Sequence, residues 1–140
     1  MYANTGSTFD PNMQLTEHRN EQQLFVRRAD AESVSVVDRV YHSSLVLGAT
    51  QVLDDFAPRS VGEIDAAAVA RVLELQPDVV LLGTGARAQF PVPSLQAEFL
   101  RRGIGIEVMD NAAAARTFNV LIGEGRNAVA VFLLAGQLAG

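Results

Sequence analysis

The stretch Val79-Val80-Leu81-Leu82 narrows the fold more than any other. It has four consecutive apolar residues, two of them β-branched, and so no polar face. A strand of that kind is stable only when both of its faces are covered. Pro77 stops whatever precedes it, and Gly83-Thr84-Gly85 ends it sharply. The rest of the chain therefore has to supply cover on two sides.

The neighbouring pattern meets that demand. Asp65 suits a helix N-cap, and Val69, Val72 and Leu73 share one helical face behind it. After Pro91 and Pro93 a second helix is expected, with Leu95, Phe99 and Leu100 as its apolar side and Gly103 as its stop. Ile104 to Met109 reads as the next strand. Asp110 and Asn111 open a third helix, one as dipole partner and the other as cap. Ala115, Phe118, Leu121 and Ile122 form its stripe, and Gly123 and Gly125 end it. Ala128 to Leu134 is a final strand or a short buried helix; length favours neither strongly. Alternating strands and helices with crossover connections predict a three-layer α/β arrangement over residues 64–134.

The first part of the chain has another rhythm. Residues 1–13 are small and polar with no period, and read as a flexible arm ahead of one domain over 14–140. Leu24-Phe25-Val26 leads to a turn at Asp30-Ala31, and Ser33-Val34-Ser35-Val36 alternates as a half-buried strand does. Leu45-Val46-Leu47, closed by Gly48, is a short strand, with Val52-Leu53 a candidate for another. These hairpins must cover or extend the sheet.

Composition excludes several chemistries. The chain has no cysteine, which removes disulfides, thiolate metal sites and thiol nucleophiles. All 11 basic residues are arginine, so there is no Schiff-base or P-loop lysine. The net charge is −5, and Arg27/Arg28 and Arg101/Arg102 are only pairs, so no nucleic-acid partner is expected. The start of the chain lacks a basic segment and an apolar run of the secretory kind. The longest apolar run, Ala128 to Ala135, falls far short of the roughly 20 residues of a membrane-spanning helix. No transmembrane segment and a cytoplasmic location are the expectation.

Three motifs invite a function and are weighed against it. Gly83-x-Gly85-x-x-Ala88 follows a buried strand, and Glu107 stands where a ribose-binding acid would. Phe90-Pro91-Val92-Pro93 intervenes before the helix, however, so a pyrophosphate would miss the helix N-terminus. A tight glycine turn remains, whose amides, with Arg87 nearby, can cradle a small anion. Asp38, His42, Ser43 and Ser44 have the residue types of a hydrolase triad but are crowded into seven positions, with no G-x-S-x-G elbow. His18, His42 and Asp54-Asp55 lack metal-ligand spacing, and no metal or cofactor is expected.

The richest stretch is Met109 to Arg126. Arg116 and Asn119, three apart, share a helix side distinct from the apolar stripe, and Glu124 and Arg126 follow the helix. On one reading, two arginines, an amide and a carboxylate would gather there, beside the sheet, as a ligand site. The structural alternative pairs Arg116 with Asp110 or Glu124 while Asn119 ties down a loop.

Gly83-Thr84-Gly85, Val108-Met109-Asp110, Arg116-Thr117-Phe118-Asn119 and Glu124-Gly125-Arg126 together resemble the domain-of-unknown-function family 498, over about residues 13–136. That family includes a mitochondrial complex I assembly factor, an adipogenesis-associated vertebrate protein and many small bacterial proteins. The resemblance implies a central mixed, mostly parallel sheet with helices on one face and helix plus β-hairpin on the other. It supplies no established reaction, and a bacterial source fits it. Many relatives have threonine where this chain has Asn111, either being able to cap, and several have cysteine where it has Ala115.

Two functions follow from these readings. The first is a non-catalytic protein-interaction or assembly module with a protein partner, a homodimer being possible. The second is a small-anion or nucleotide-like ligand-binding protein, or an enzyme. It would use Gly83, Thr84, Gly85 and Arg87 with Arg116, Asn119, Glu124 and Arg126.

Overall fold

The computed structural model describes residues 23–135. The expected arm at 1–13 and His18 lie outside them. Eight strands and three α-helices are formed among the described residues. The strands are β1 (Val26–Ala29), β2 (Val34–Val36), β3 (Arg39–Tyr41), β4 (Leu45–Leu47), β5 (Val52–Leu53), β6 (Val79–Gly83), β7 (Gly105–Met109) and β8 (Ala128–Phe132). The helices are α1 (Ala66–Leu73), α2 (Pro93–Leu100) and α3 (Asn111–Gly123).

Two sheets result, and the fold is mixed α/β. The larger sheet runs β5-β4-β8-β6-β7. Its β8–β6 and β6–β7 ladders are parallel, while β8–β4 and β4–β5 are antiparallel. The division is thus even, and the expected predominance of parallel pairing is not found. The smaller sheet, β1-β2-β3, is antiparallel and three-stranded, one strand more than the expected hairpin. The added strand is Arg39–Tyr41, which pairs antiparallel with β2. Ala128–Phe132 resolves as strand, because it pairs on both sides.

The uniformly apolar strands divide their side chains as a two-period requires. Leu45, Leu47, Val79, Leu81, Ala130 and Phe132 pack in one core with Phe118 and Ile122 of α3 and Val26, Val34 and Val36 of the small sheet. Val46, Val80, Leu82, Val129 and Val131 pack in a second core with Val69 and Val72 of α1 and Leu95 and Phe99 of α2. The strand order explains why α2 and α3 join different cores. The chain steps outward from β6 to β7 through α2, then back past β6 to β8 through α3. Reversing the direction at constant crossover hand moves the second helix to the opposite side.

Candidate functional site

The loops leaving β6 and β7 diverge toward opposite faces. In open α/β sheets a crevice forms outside two such strand ends, and ligands bind there. Here that crevice lies between Gly83-Thr84-Gly85 and Met109-Asp110-Asn111.

It is stitched shut. The Gly83–Met109 register of the ladder is prolonged beyond the strands: the Thr84 N–H donates to the Met109 carbonyl at 3.0 Å, and the Asn111 N–H to the Gly85 carbonyl at 2.8 Å. The Thr84 hydroxyl donates to the Arg87 carbonyl at 2.6 Å and accepts from the Gln89 N–H at 2.8 Å. It thereby folds the loop back on itself.

Asn111 fills what is left. Its side chain is fully buried. Its Oδ1 accepts from the Gly85 N–H at 3.1 Å, and its Nδ2 donates to the Asp30 carbonyl at 2.9 Å and the Leu133 carbonyl at 3.1 Å. One amide thus joins the turn after β6, the turn after β1 and the end of β8. Gly83 is needed beside it, since a Cβ there would stand 2.5 Å from Asn111 Oδ1 and 3.1 Å from the Val131 carbonyl. The helix cap is Asp110, whose carboxylate accepts from the Ala113 N–H at 2.7 Å. Of the two residues expected to open the helix, one as dipole partner and the other as cap, Asp110 is the cap, and Asn111 is the first helical residue and turns inward. The sequence contained the signal. Asn111 lies on the same helical stripe as Ala114, Ala115, Phe118 and Ile122, and a polar residue there must be hydrogen-bonded.

The other expected site residues are spread over the surface. Asn119 is spent on β1, accepting from the Val26 N–H at 2.9 Å and donating to the Val26 carbonyl at 2.8 Å. It stands in for a neighbouring strand residue at an otherwise open edge. Arg87, Arg116, Glu124 and Arg126 are exposed. Among the described residues Arg116 forms no ion pair with Asp110 or Glu124; the pairs that form are Arg71 with Asp55 and Glu74, and Arg101 and Arg102 with Glu98. The structure therefore unites Gly83, Thr84 and Gly85 around Asn111; Arg87 joins them through its backbone carbonyl alone, and its side chain, like those of Arg116 and Arg126, is exposed. Ser44 is buried and accepts from the Leu134 N–H at 2.9 Å, while Asp38 and His42 are exposed, so no triad forms. Glu107 sits mid-strand on β7, opposite Leu81, away from the crevice.

Outside the stitched crevice is a surface depression of about 450 Å³ lined by Asp30, Glu32, Gly85, Asp110 and Ala112. Its charged groups are carboxylates. The Glu32 and Ser33 amides donate to Asp30 Oδ1, both at 2.8 Å, and hold its carboxyl below the ordinary value of 3.8 against the opposing effect of burial. Arg28 adds a smaller pull in the same direction. A second depression, of about 350 Å³, lies by Leu24, Phe25, Val37, Asn119 and Gly123.

The chain is similar to known proteins in fold and in sequence. A solved protein of Xanthomonas campestris superposes with a TM-score of 0.79 at 37% sequence identity, covering 91% of this chain and 97% of that one. A "13 kDa major membrane protein" of Francisella tularensis is 27% identical over 66% of this chain and 76% of its own length. The NADH dehydrogenase [ubiquinone] 1 alpha subcomplex assembly factor 3 of Danio rerio is 37% identical over 50% of this chain, and the match spans only 40% of that protein. The profile of the DUF498/DUF598 proteins of unknown function matches residues 26–133, the whole span from β1 to the end of β8, and the chain belongs to that family.

Proposed function

We propose that the chain acts as a non-catalytic protein-interaction or assembly module. The observation carrying this reading is the state of the crevice between β6 and β7. A ligand site needs unspent donors directed into open space. Here the Thr84 and Gly85 amides bond to Met109 and Asn111, and both Nδ2 protons of Asn111 are taken by carbonyls. The polar groups at the strand ends are spent on fixing the frame. The relatives named as complex I assembly factors, in zebrafish and in cattle, point the same way.

In this reading the fold is a three-layer frame, with α1 and α2, the large sheet, and α3 beside the small sheet, and its outer surfaces do the work. None of the described helices is long and apolar enough to cross a membrane. The partner is a protein met in the cytoplasm, with a second copy of the chain as one possible partner.

The competing reading is a small-anion or nucleotide-like ligand, or a reaction upon one, at Gly83–Gly85 with Arg87, Arg116, Asn119, Glu124 and Arg126. The depression beside Gly85 supplies space for it. The carboxylates of Asp30, Glu32 and Asp110 lining that space repel an anion.

Affinity capture of the tagged chain from its native cells, read by mass spectrometry, tests the first reading. A reproducible partner absent from a tag-only control is expected, and its absence overturns the reading. Phosphate and nucleotide titrations followed by thermal melting test the second. A melting shift in the wild type that disappears in Arg116→Ala would replace the first reading with the second.

A further inference from the structure

The seam between β1 and α3 carries a charge pattern of which internal bonds use only the acidic part: Asp30 accepts from the Glu32 and Ser33 amides and Asp110 from the Ala113 amide. Two pins set the alignment. Val26 is tied to Asn119 and Asp30 to Asn111, so β1 runs antiparallel to the helix. Four residues of strand rise about as far as eight of helix, roughly 13 against 12 Å. Arg28 therefore lies level with the helical turn of Ala115 and Arg116. The ladder slips between Val26 and Arg28, and this bulge turns Arg27 and Arg28 both outward while Ala29 returns to the core. Arg116 lies about 60° around the helix from Asn119, on the side turned away from the core. Arg28 and Arg116 thus lie at one level along the seam, both exposed, in an acidic protein. Neither has a salt-bridge partner among the described residues, whereas Arg71, Arg101 and Arg102 all do.

The two depressions flank this pair. On the Val26 side the lining includes Leu24, Phe25 and Ile122. On the Asp30 side it includes Asp30, Glu32 and Asp110. Read along the seam, the surface is apolar, then doubly positive, then negative.

Resting on the assembly reading, we propose that this seam docks an extended segment of a partner protein that is apolar at one end, acidic in the middle and basic at the other. The carboxylates would meet Arg28 and Arg116, where two guanidinium groups favour charge-assisted bonds. The basic end would meet Asp30, Glu32 and Asp110. About eight residues span the seam and both depressions at 3.3 Å each. An anionic membrane surface is the less suitable occupant, because the acidic end would face it and the basic cluster is smaller than the four to eight residues such surfaces recruit.

The probe is a synthetic octapeptide with valines at one end, glutamates in the middle and arginines at the other, made in both chain directions. Amide shifts in ¹H–¹⁵N spectra of the full chain report its position. The expected result is shifts centred on Arg28, Ala112, Arg116 and Gly123. Replacing the glutamates by glutamines should weaken binding about tenfold, as should the double variant Arg28→Glu/Arg116→Glu. A peptide with central arginines should then recover binding to that variant. The melting temperature of the variant guards against a folding defect. Absent binding, shifts elsewhere, or indifference to the charge reversal overturns the proposal, as does binding to phosphatidylglycerol vesicles in preference to the peptide. The two readings separate cleanly. If the double variant still captures the native partner, the assembly reading stands and the seam is not its surface. If the peptide binds as described but no native partner is captured, the reverse holds.

Discussion

Replacing Asn111 by alanine removes the plug and tests whether one amide holds the strand ends together. Three side-chain hydrogen bonds are lost, to Gly85, Asp30 and Leu133. The Asp30 carbonyl sits on an exposed turn and can take water instead. The Leu133 carbonyl belongs to a buried residue, and the Gly85 amide is only partly accessible. Stranding each of those two costs about 1–3 kcal/mol. Alanine is the better helix former, but at the first helical position it returns less than about 0.7 kcal/mol. The net loss is about 3 kcal/mol, a large part of the roughly 5–15 kcal/mol that holds a domain of this size together. With a urea slope near 2 kcal/mol/M, the unfolding midpoint should fall by about 1.5 M. Hydrogen exchange at the Gly85 amide should accelerate together with it. A loss below about 1 kcal/mol with an unchanged slope would refute the reasoning. Asn111→Asp is the control. It keeps the volume and Oδ1 but turns a carboxylate oxygen toward two carbonyls. The aspartate would be driven neutral in the fold, raising its pKa, so stability should return as pH falls and decline as pH rises.

Gly83→Ala should destabilise by about 2–3 kcal/mol in urea titration, because its Cβ would meet Asn111 Oδ1 at 2.5 Å. In the double variant with Asn111→Ala the combined loss should be less than the sum of the two single losses, since the closest contact, with Oδ1, is gone and only the 3.1 Å approach to the Val131 carbonyl and the 3.2 Å approach to the Ala114 Cβ remain. Gln76 adopts a φ of 51° after α1, a glycine-type conformation, and its carbonyl rather than its side chain accepts from Asn127. Gln76→Gly is therefore expected to stabilise by about 1 kcal/mol, raising the melting temperature by roughly 3–5 °C. Asp30 has its carboxyl lowered in the fold, chiefly by the Glu32 and Ser33 amides. Its contribution is complete above the ordinary value of 3.8 and disappears as pH falls through the lowered one. Asp30→Ala should accordingly flatten the acid limb of the stability–pH curve below about pH 4, measured by denaturation at a series of pH values.

Much of the frame could be read from local pattern. Val79–Leu82 announced a strand covered on both faces, and Asp65, Pro93 and Asp110 marked helix starts that the structure places at α1, α2 and α3. These signals are local: side-chain period, capping chemistry and fixed proline φ act within a few residues of chain. What depended on distant segments could not be read in that way. The strand order, the even split of parallel and antiparallel ladders and the third strand of the small sheet follow from which neighbours each edge finds. Asn111 and Asn119 illustrate the difference. Sequence placed both on one helix and gave the second an outward side, yet one closes a crevice between strands and the other completes the edge of β1, 93 positions earlier in the chain. An amide is satisfied by whatever donors and acceptors surround it, and only tertiary packing decides which those are.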